Sequence, residues 1–513
     1  MSVSTPSGPA EKVKYESVEG YDKFTPKAIM CLFGSWFSHL MVGAQYAWGN
    51  MLPYVVSYFR NTGVEDATTE KFYFILTCIV VVSTLFFPTG MSLTAKLGSK
   101  NVILLGGSIL TTCTLLVSFF PHTLTFFILY AGGFGIAKGF LYPAPLKASW
   151  SHLPGRKGLV SGTVTQGLGC GSFLYGMLVN QLVNPDNKSP DPDTGIFEKE
   201  ISDRVPYAFR ILAFCWGAQT LIAYVLVNDY VKKEEVHDDH HWEDFQKNKL
   251  IEMEKKAPLR KIICSREFFS LYFISVTEIF FGYFIMTKYK VYGAGFIKDD
   301  QFLTLIGSIG SLLNGLFRIF WAGMLDYFPF KKINTVLLLL LTIVLFTVQA
   351  AVHNKYTYLV VVALAMKCEG AMAAIVPTLC LKKFGITRGH QVFSFVYSSY
   401  GIASLTGSVL NATIGVWVGF EGMVYVGGLF VVAACVLTYR QDDNHMFNYA
   451  KLYPDETTTY GDTYSSKAGK QVRDLGTQVE VFKAPRQADK KSYAMKTTNI
   501  HKIGKDDLNR SMR

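Results

Sequence analysis

The sequence has no paired cysteines. Its nine (31, 78, 113, 170, 215, 264, 368, 380 and 435) fall singly, mostly inside apolar runs, and no CxxC occurs. Neither a structural zinc nor a disulfide framework is expected from such spacing. No GxxxxGK[ST] loop is present, so ATP drive is not suggested. The net charge is +11 and the pI about 9.0, yet no basic recognition motif stands apart from the flanks of apolar runs, which argues against nucleic acid. Residues 1–27 mix Lys12 and Lys14 with Glu11, Glu16 and Glu19, so neither a cleavable signal nor an acid-poor transit peptide is expected there. Charge is scarce overall. Only 17% of the 513 residues are charged and 50% are hydrophobic, with a mean hydropathy of +0.23. That balance places the chain among polytopic membrane proteins, all-α.

Apolar stretches long enough to cross a hydrocarbon core of ~30 Å occur near 29–56, 72–95, 102–120, 124–148, 159–183 and 207–228. A second set follows near 267–288, 302–325, 333–352, 356–381, 391–418 and 421–439. Twelve transmembrane helices are predicted, six plus six. The domains expected are a polar N-terminus (1–28), a first bundle (29–228), a central loop (229–265), a second bundle (266–439) and a polar tail (440–513). Glycine clusters such as Gly132–Gly139 and Gly167–Gly171 suit close helix packing in lipid. Lysine and arginine gather at both termini and in the loops on their side, which predicts that both termini are cytoplasm-like. The plasma membrane is the first expectation, and a mitochondrial inner or other organelle membrane the alternative. In the central loop, Trp242, Phe245, Lys249 and Met253 recur at helical spacing, predicting an interfacial helix. The cluster from His237 to His241 reads as a solvated loop, not a metal site. The tail carries scattered charge without an apolar period, so disorder or docking is expected. The loop and the tail are the candidate segments for a protein partner. Lys100 and Lys331, Gly155 and Gly389, and Gly167 and Gly401 lie about 230 positions apart, the trace of a duplicated six-helix unit around a central site.

Arg318 lies inside the run Asn314–Lys332, NGLFRIFWAGMLDYFPFKK. An arginine in mid-membrane costs roughly 2.5–3.5 kcal/mol on insertion scales and needs a partner or a water-filled path. It is either a packing arginine that snorkels or pairs with a carbonyl, or an anion ligand facing a cavity. The surrounding residues favour the second.

Several segments together resemble one family. They are Tyr46-Ala47-Trp48-Gly49-Asn50 in the first helix and GIAKGFLYPAPL (Gly135–Leu146) in the fourth. Trp150, Pro154, Arg156, Lys157, Gly158, Ser161 and Gly162 lead into the fifth. Asn314-Gly315 with Arg318 and Asp326 follow in the second half, then Pro377-Thr378-Leu379 with Phe384-Gly385. Spread over residues 29 to 439, they resemble the major facilitator superfamily, and more narrowly its oxalate/formate antiporter and monocarboxylate transporter branch. The turn MSLTAKLGSK (Met91–Lys100) departs from the family pattern, with Met91 for a glycine and Ala95 for an aspartate. The second copy keeps Asp326 but has Ala322 for the glycine. In the family that aspartate helps to hold the cytoplasmic side in one conformation. Tyr400 stands where oxalate-type members carry a lysine, so oxalate is not the expected substrate.

The resemblance implies a cavity lined by helices one, four, seven and ten, with parts of two, five, eight and eleven. Mid-span charges fall on that set: Lys138, Glu278, Arg318, Lys367 and Glu369. Arg318 offers a rigid fork suited to a carboxylate, and a fixed cation in low dielectric attracts an organic monoanion. Lys138, with Tyr142 one turn on, either helps to hold the anion or pairs with Glu278 or Glu369. Tyr46, Trp48, Tyr400 and Asn314 complete the expected substrate-binding set, with Tyr54 and Phe281 as further walls. Glu278 is the first candidate for a proton-coupling acid, because burial favours a neutral carboxyl, and its alternative is a structural pair; Glu369 is the second candidate. Lys96, Lys100, Asp326 and Lys331 are the candidate gating residues. His39 is either a path residue or a packed imidazole, and Arg210 an anchor at the headgroups.

The function expected is secondary transport of a small monocarboxylate such as pyruvate, lactate or formate, by alternating access, coupled to a proton or to exchange with another anion. No enzyme chemistry, metal or cofactor is expected; the partners are the carboxylate, a proton if transport is symport, and lipid. The alternative is a transport-inactive subunit of a larger membrane complex, motivated by Lys138, the altered turn and the long tail. A metabolite receptor signalling through the tail is a third reading.

Overall fold

The computed structural model describes residues 24–65, 67–186, 188, 190–191, 194–230, 252–441 and 447–449. The expectations for the N-terminus before 24, for His237–His241, for Trp242, Phe245 and Lys249, and for most of the tail fall outside these residues. The chain divides into two compact units, Met1–Asn444 and His445–Arg513, and every helix below belongs to the first.

Among the described residues there are helices and no strands. The first six long helices are α1 (Pro26–Asn61), α2 (Thr69–Leu97), α3 (Ser99–Val117), α4 (Thr123–His152), α5 (Lys157–Val183) and α6 (Val205–Leu226). The second six are α7 (Arg266–Ala294), α8 (Asp300–Met324), α9 (Phe330–Ala351), α10 (Lys355–Gly385), α11 (386–413) and α12 (Gly415–Arg440). Ten of the helices are long and apolar enough to cross a membrane among the described residues. The other two, α5 and α11, are glycine- and serine-rich and lie at the seam between the halves.

Caps set where the helices start. Thr25, Thr68, Ser265 and Asp299 each accept the backbone N–H three residues on, at 3.2, 3.3, 3.2 and 3.0 Å. Each closes orphan donors at an N-terminus just outside an apolar run. Two connections are reduced to a single glycine. Gly98 (φ +81) turns α2 into α3, and Gly385 (φ +78) turns α10 into α11. Both adopt the left-handed conformation that side chains disfavour. The expected gap between 381 and 391 is therefore absent: α11 begins about a turn earlier than its apolar run suggested.

Backbone contact between helices depends on missing side chains. In the first half, a Cβ at Gly43 on α1 would lie 2.2 Å from the carbonyl oxygen of Leu168 on α5, and one at Gly171 would lie 2.1 Å from Leu40 O. The two halves meet in the same way. A Cβ at Gly158 would lie 1.9 Å from Ala322 O, one at Gly162 2.6 Å from Ile319 Cα, and one at Gly169 2.4 Å from Gly315 Cα. So α5 of the first half and α8 of the second touch along their length. On the opposite side of the seam α2 meets α11, where Thr77 and Ser408 hydroxyls lie 2.9 Å apart and Phe87 stacks on Tyr397 at 4.1 Å. Large apolar side chains such as Phe214, Phe346, Leu339, Leu429 and Trp417 point outward, as lipid-facing surfaces do.

Gly43→Ala forces a backbone shift between α1 and α5, an overpacking cost of about 1–3 kcal/mol. Its unfolding midpoint in detergent is expected to fall by several degrees, whereas Gly63→Ala, where a Cβ meets nothing within 4 Å, carries only the strain of its φ of +92. Equal midpoints for Gly43→Ala and wild type would contradict this packing.

Candidate functional site

Arg318 is 1% exposed. It sits on α8 one turn after Asn314, and Asn314 Oδ1 accepts from its Nε at 3.1 Å and its Nη2 at 2.7 Å. Its Nη1 donates to Thr165 O on α5 at 3.3 Å. The guanidinium therefore crosses the seam between the halves, made possible by the glycines that bring α5 and α8 together. The amide of Asn314 has a second side. Its Nδ2 donates to Glu369 Oε2 at 2.6 Å and to Met366 O at 2.9 Å, both on α10. Asn314 stands between cation and carboxylate, accepting from one and donating to the other. All of its polar atoms are committed, so it orients the arginine and holds Glu369.

The other half supplies the second cation. Lys138 on α4 is 2% exposed and donates to Gln45 Oε1 on α1 at 3.0 Å. Its ammonium also lies 5.8 Å from the centre of the Tyr397 ring on α11, a cation–π contact. Tyr142 donates to Ala373 O on α10 at 3.0 Å, a second polar bridge between the halves. Pro143 follows Tyr142 and interrupts α4 at that point. On α1 a 3-10 turn over Ala44–Ala47 re-aims Gln45 and Tyr46. The Tyr46 side chain lies against Arg318. It also lines a cavity of about 10 Å³ with Gly169, Ser172, Met286, Ser311 and Asn314. That volume is about one water's worth; Arg318 itself lies outside this lining, buried where α8 meets Thr165 of α5.

Several buried polar atoms around this cluster have no partner among the described residues. They include His39 Nε2, Gln45 Nε2 and the hydroxyls of Tyr400, Ser399 and Ser404. His39 stands edge-on to Tyr142, ring centres 5.0 Å apart, with Nδ1 3.1 Å from Ser35 O. Buried polar groups are almost always satisfied, so these atoms mark the polar part of an otherwise apolar interior.

Of the residues singled out from the sequence, Arg318, Lys138, Tyr142, Tyr46, Asn314, Tyr400 and Glu369 converge here. Others do not. Trp48 donates to Phe72 O at 3.1 Å and packs against Phe126 and Tyr130. Tyr54 donates to Asn180 at 2.7 Å, and Phe281 packs against Gly427 of α12. Glu278 points between α7, α9 and α12, where Asn334 Nδ2 donates to it at 2.5 Å and to Thr438 at 2.8 Å. Lys367 covers the Phe317 ring at 4.0 Å. Gln45, Tyr397 and His39 belong to the cluster without having been placed in the binding set; polar side chains in an otherwise apolar run were the available signal.

The gating candidates lie on the face that carries the connection between the halves, here the linker face. Asp326, in the turn after α8, accepts from Gly158 N and Leu159 N at 3.0 Å each, and Lys382 Nζ is 3.4 Å away. It thus caps α5 of the opposite half. Lys100 covers the Tyr224 ring at 4.4 Å and Lys331 the Tyr439 ring at 5.2 Å, and Lys96 is exposed.

Comparison with known proteins agrees with this architecture. The sequence profile of the Major Facilitator Superfamily matches residues 31–389. Apicoplast pyruvate carrier 1 of Toxoplasma gondii is 23% identical over 479 residues, covering 78% of this chain and 86% of the carrier. Apicoplast pyruvate carrier 2 of the same organism is 30% identical over 139 residues, 26% of this chain and 21% of that protein. Among solved structures, the proton:xylose symporter XylE bound to 6-bromo-6-deoxy-D-glucose superposes with a TM-score of 0.64 at 11% identity, covering 81% of this chain and 95% of that one. With its twelve helices in two six-helix bundles and a profile match over most of its length, this chain belongs to the major facilitator superfamily of multi-pass membrane transporters.

Proposed function

We propose that this transporter carries a small monocarboxylate of the pyruvate class by alternating access. The observation that carries the reading is the arrangement around Arg318: two buried cations, one from each half, and one buried carboxylate, Glu369, held by Asn314 and in the field of both. Counted in formal charges the cluster is one positive charge in excess, which one monoanion balances. The fork of Arg318 suits a carboxylate, and the orphan donors of Gln45 and Tyr400 suit a keto or hydroxyl oxygen beside it. A substrate bound at the seam favours whichever arrangement of the halves closes on it, and so couples binding to their motion. The two carriers similar to this chain are pyruvate carriers, which supports the same substrate class. Glu369 is the acid placed to couple a proton, since it shares Asn314 with the anion-binding arginine. Glu278, held by Asn334 away from the seam, is placed for a role within its own bundle.

Uptake of labelled pyruvate into proteoliposomes tests the reading. Saturable uptake, inhibited by lactate and unaffected by xylose, is expected, with a rise when the outside is acidified if Glu369 carries a proton. Uptake no faster than in empty vesicles, with or without a proton gradient or a trapped counter-anion, would end it.

A further inference from the structure

The repeat pairs α5 with α11, and both begin on the linker face. Each has orphan backbone donors there, but the carboxylates that satisfy them come from unrelated places. For α5 it is Asp326 in the turn after α8. The position of the first half that corresponds to Asp326 is Ala95, exposed at the end of α2, which has no carboxylate to offer. The donors of α11 are met instead by Glu254, in a helical turn at 252–256 on the connection between the halves.

Glu254 is 3% exposed. Its Oε1 accepts from Arg388 N at 2.6 Å, and the backbone of Thr387 binds the same carboxylate. Arg388 returns the contact. Its Nε donates to Glu254 O at 3.0 Å and its Nη2 to Lys255 O at 2.5 Å, while its Nη1 donates to Gln391 at 2.6 Å. A helix N-terminus thus takes the carboxylate of the connecting segment while its arginine takes that segment's carbonyls. Gly385 makes room for this. A Cβ there would lie 2.5 Å from Glu254 Cδ and Oε1, so the glycine is needed for space as well as for its positive φ. Burial pushes the Glu254 carboxyl up from its ordinary value, and the α11 amides and the charges of Lys157 and Arg388 pull it back. Lys157, the first residue of α5, lies in the field of both Glu254 and Asp326. The segment then turns through Ala257 and the short helix Leu259–Ile263, whose Ile262 is fully buried, into α7.

We propose that residues 252–263 form a strap that holds the linker face closed, with Glu254 doing for α11 what Asp326 does for α5. The two capping carboxylates flank Lys157 at the junction of the halves, and the connection between the halves is itself part of the gate. Opening that face requires α11 to leave Glu254, so a change that lifts the strap opens the transporter without touching the substrate site.

Cys380, on α10, reports this directly. It is fully buried, and its carbonyl oxygen would lie 2.8 Å from a Cβ on Gly389 of α11. N-ethylmaleimide labelling of the full-length protein in detergent, followed cysteine by cysteine by mass spectrometry, needs no substrate and so stands apart from the pyruvate reading. Glu254→Ala and Arg388→Ala are each expected to raise the labelling rate of Cys380 about tenfold, the effect of one lost charge-assisted hydrogen bond. Cys113, inside the first half, should keep its wild-type rate. Glu254→Gln, which keeps an acceptor and loses the charge, should fall between. An unchanged Cys380 rate in both alanine variants would overturn the strap, and so would a parallel rise at Cys380 and Cys113, which would mark general loosening.

Discussion

Arg318→Ala is expected to lower pyruvate uptake by about 100-fold or more. The side chain donates twice to Asn314 and once across the seam to Thr165 O, and it also bonds the Tyr46 side chain. Truncating one member of a buried charged network costs about 3–5 kcal/mol, because the charge left behind is uncompensated. Here that charge is Glu369, joined to the arginine through Asn314. Part of the loss would therefore appear as lower stability and part as lost affinity. The double variant Arg318→Ala with Glu369→Gln separates the two. With both charges removed, the unfolding midpoint should return towards wild type while uptake stays low. Recovery of uptake in the double variant would show that the arginine serves only to neutralise Glu369. Arg318→Lys keeps the charge without the planar fork, and its uptake should lie between those of alanine and wild type.

Arg318, Lys138 and Glu369 could be found in the sequence because a charge inside an apolar run is costly and rare. The same logic picked Glu278, and there it failed to give direction. Around that residue α7 is buried on every side, with Thr277, Ile279, Phe280 and Phe281 all in the interior. Hydropathy then carries no helical phase, and nothing local says that Glu278 faces Asn334 and not the seam. Trp48 misled for a related reason: it shares a motif with Tyr46, but a 3-10 turn separates the directions of the two side chains. Gln45, His39 and Tyr397 incur no charge penalty and stood out less. At the level of the fold, the spans and the repeat were legible, because length, apolarity and glycine spacing are local properties. The start of α11 was not, since a single left-handed glycine does the work of a loop. Nor was the cap supplied by Glu254, which joins residues 134 positions apart in sequence.

Asp326→Ala is expected to shift the balance of conformations away from the closed linker face by about two orders of magnitude. The carboxylate accepts two backbone N–H groups of α5 and lies 3.4 Å from Lys382, with only 11% of its side chain exposed. Losing an N-cap costs about 0.5–2 kcal/mol, and the negative charge at a helix N-terminus is worth up to ~2 kcal/mol more when partly buried. Both contributions exist only while α5 and the turn after α8 are together, so their loss acts on the equilibrium between closed and open and not on folding alone. A differential of about 2.7 kcal/mol is a hundredfold shift in population. Spin labels replacing Lys96 and Lys332, one on each half and both exposed, would read it as a longer-distance component in Asp326→Ala. Asp326→Asn should give a smaller shift, because its carbonyl still accepts one N–H while its amide group opposes the other. A distance distribution identical to wild type, together with lowered uptake, would mean that Asp326 acts on the substrate path and not on closure.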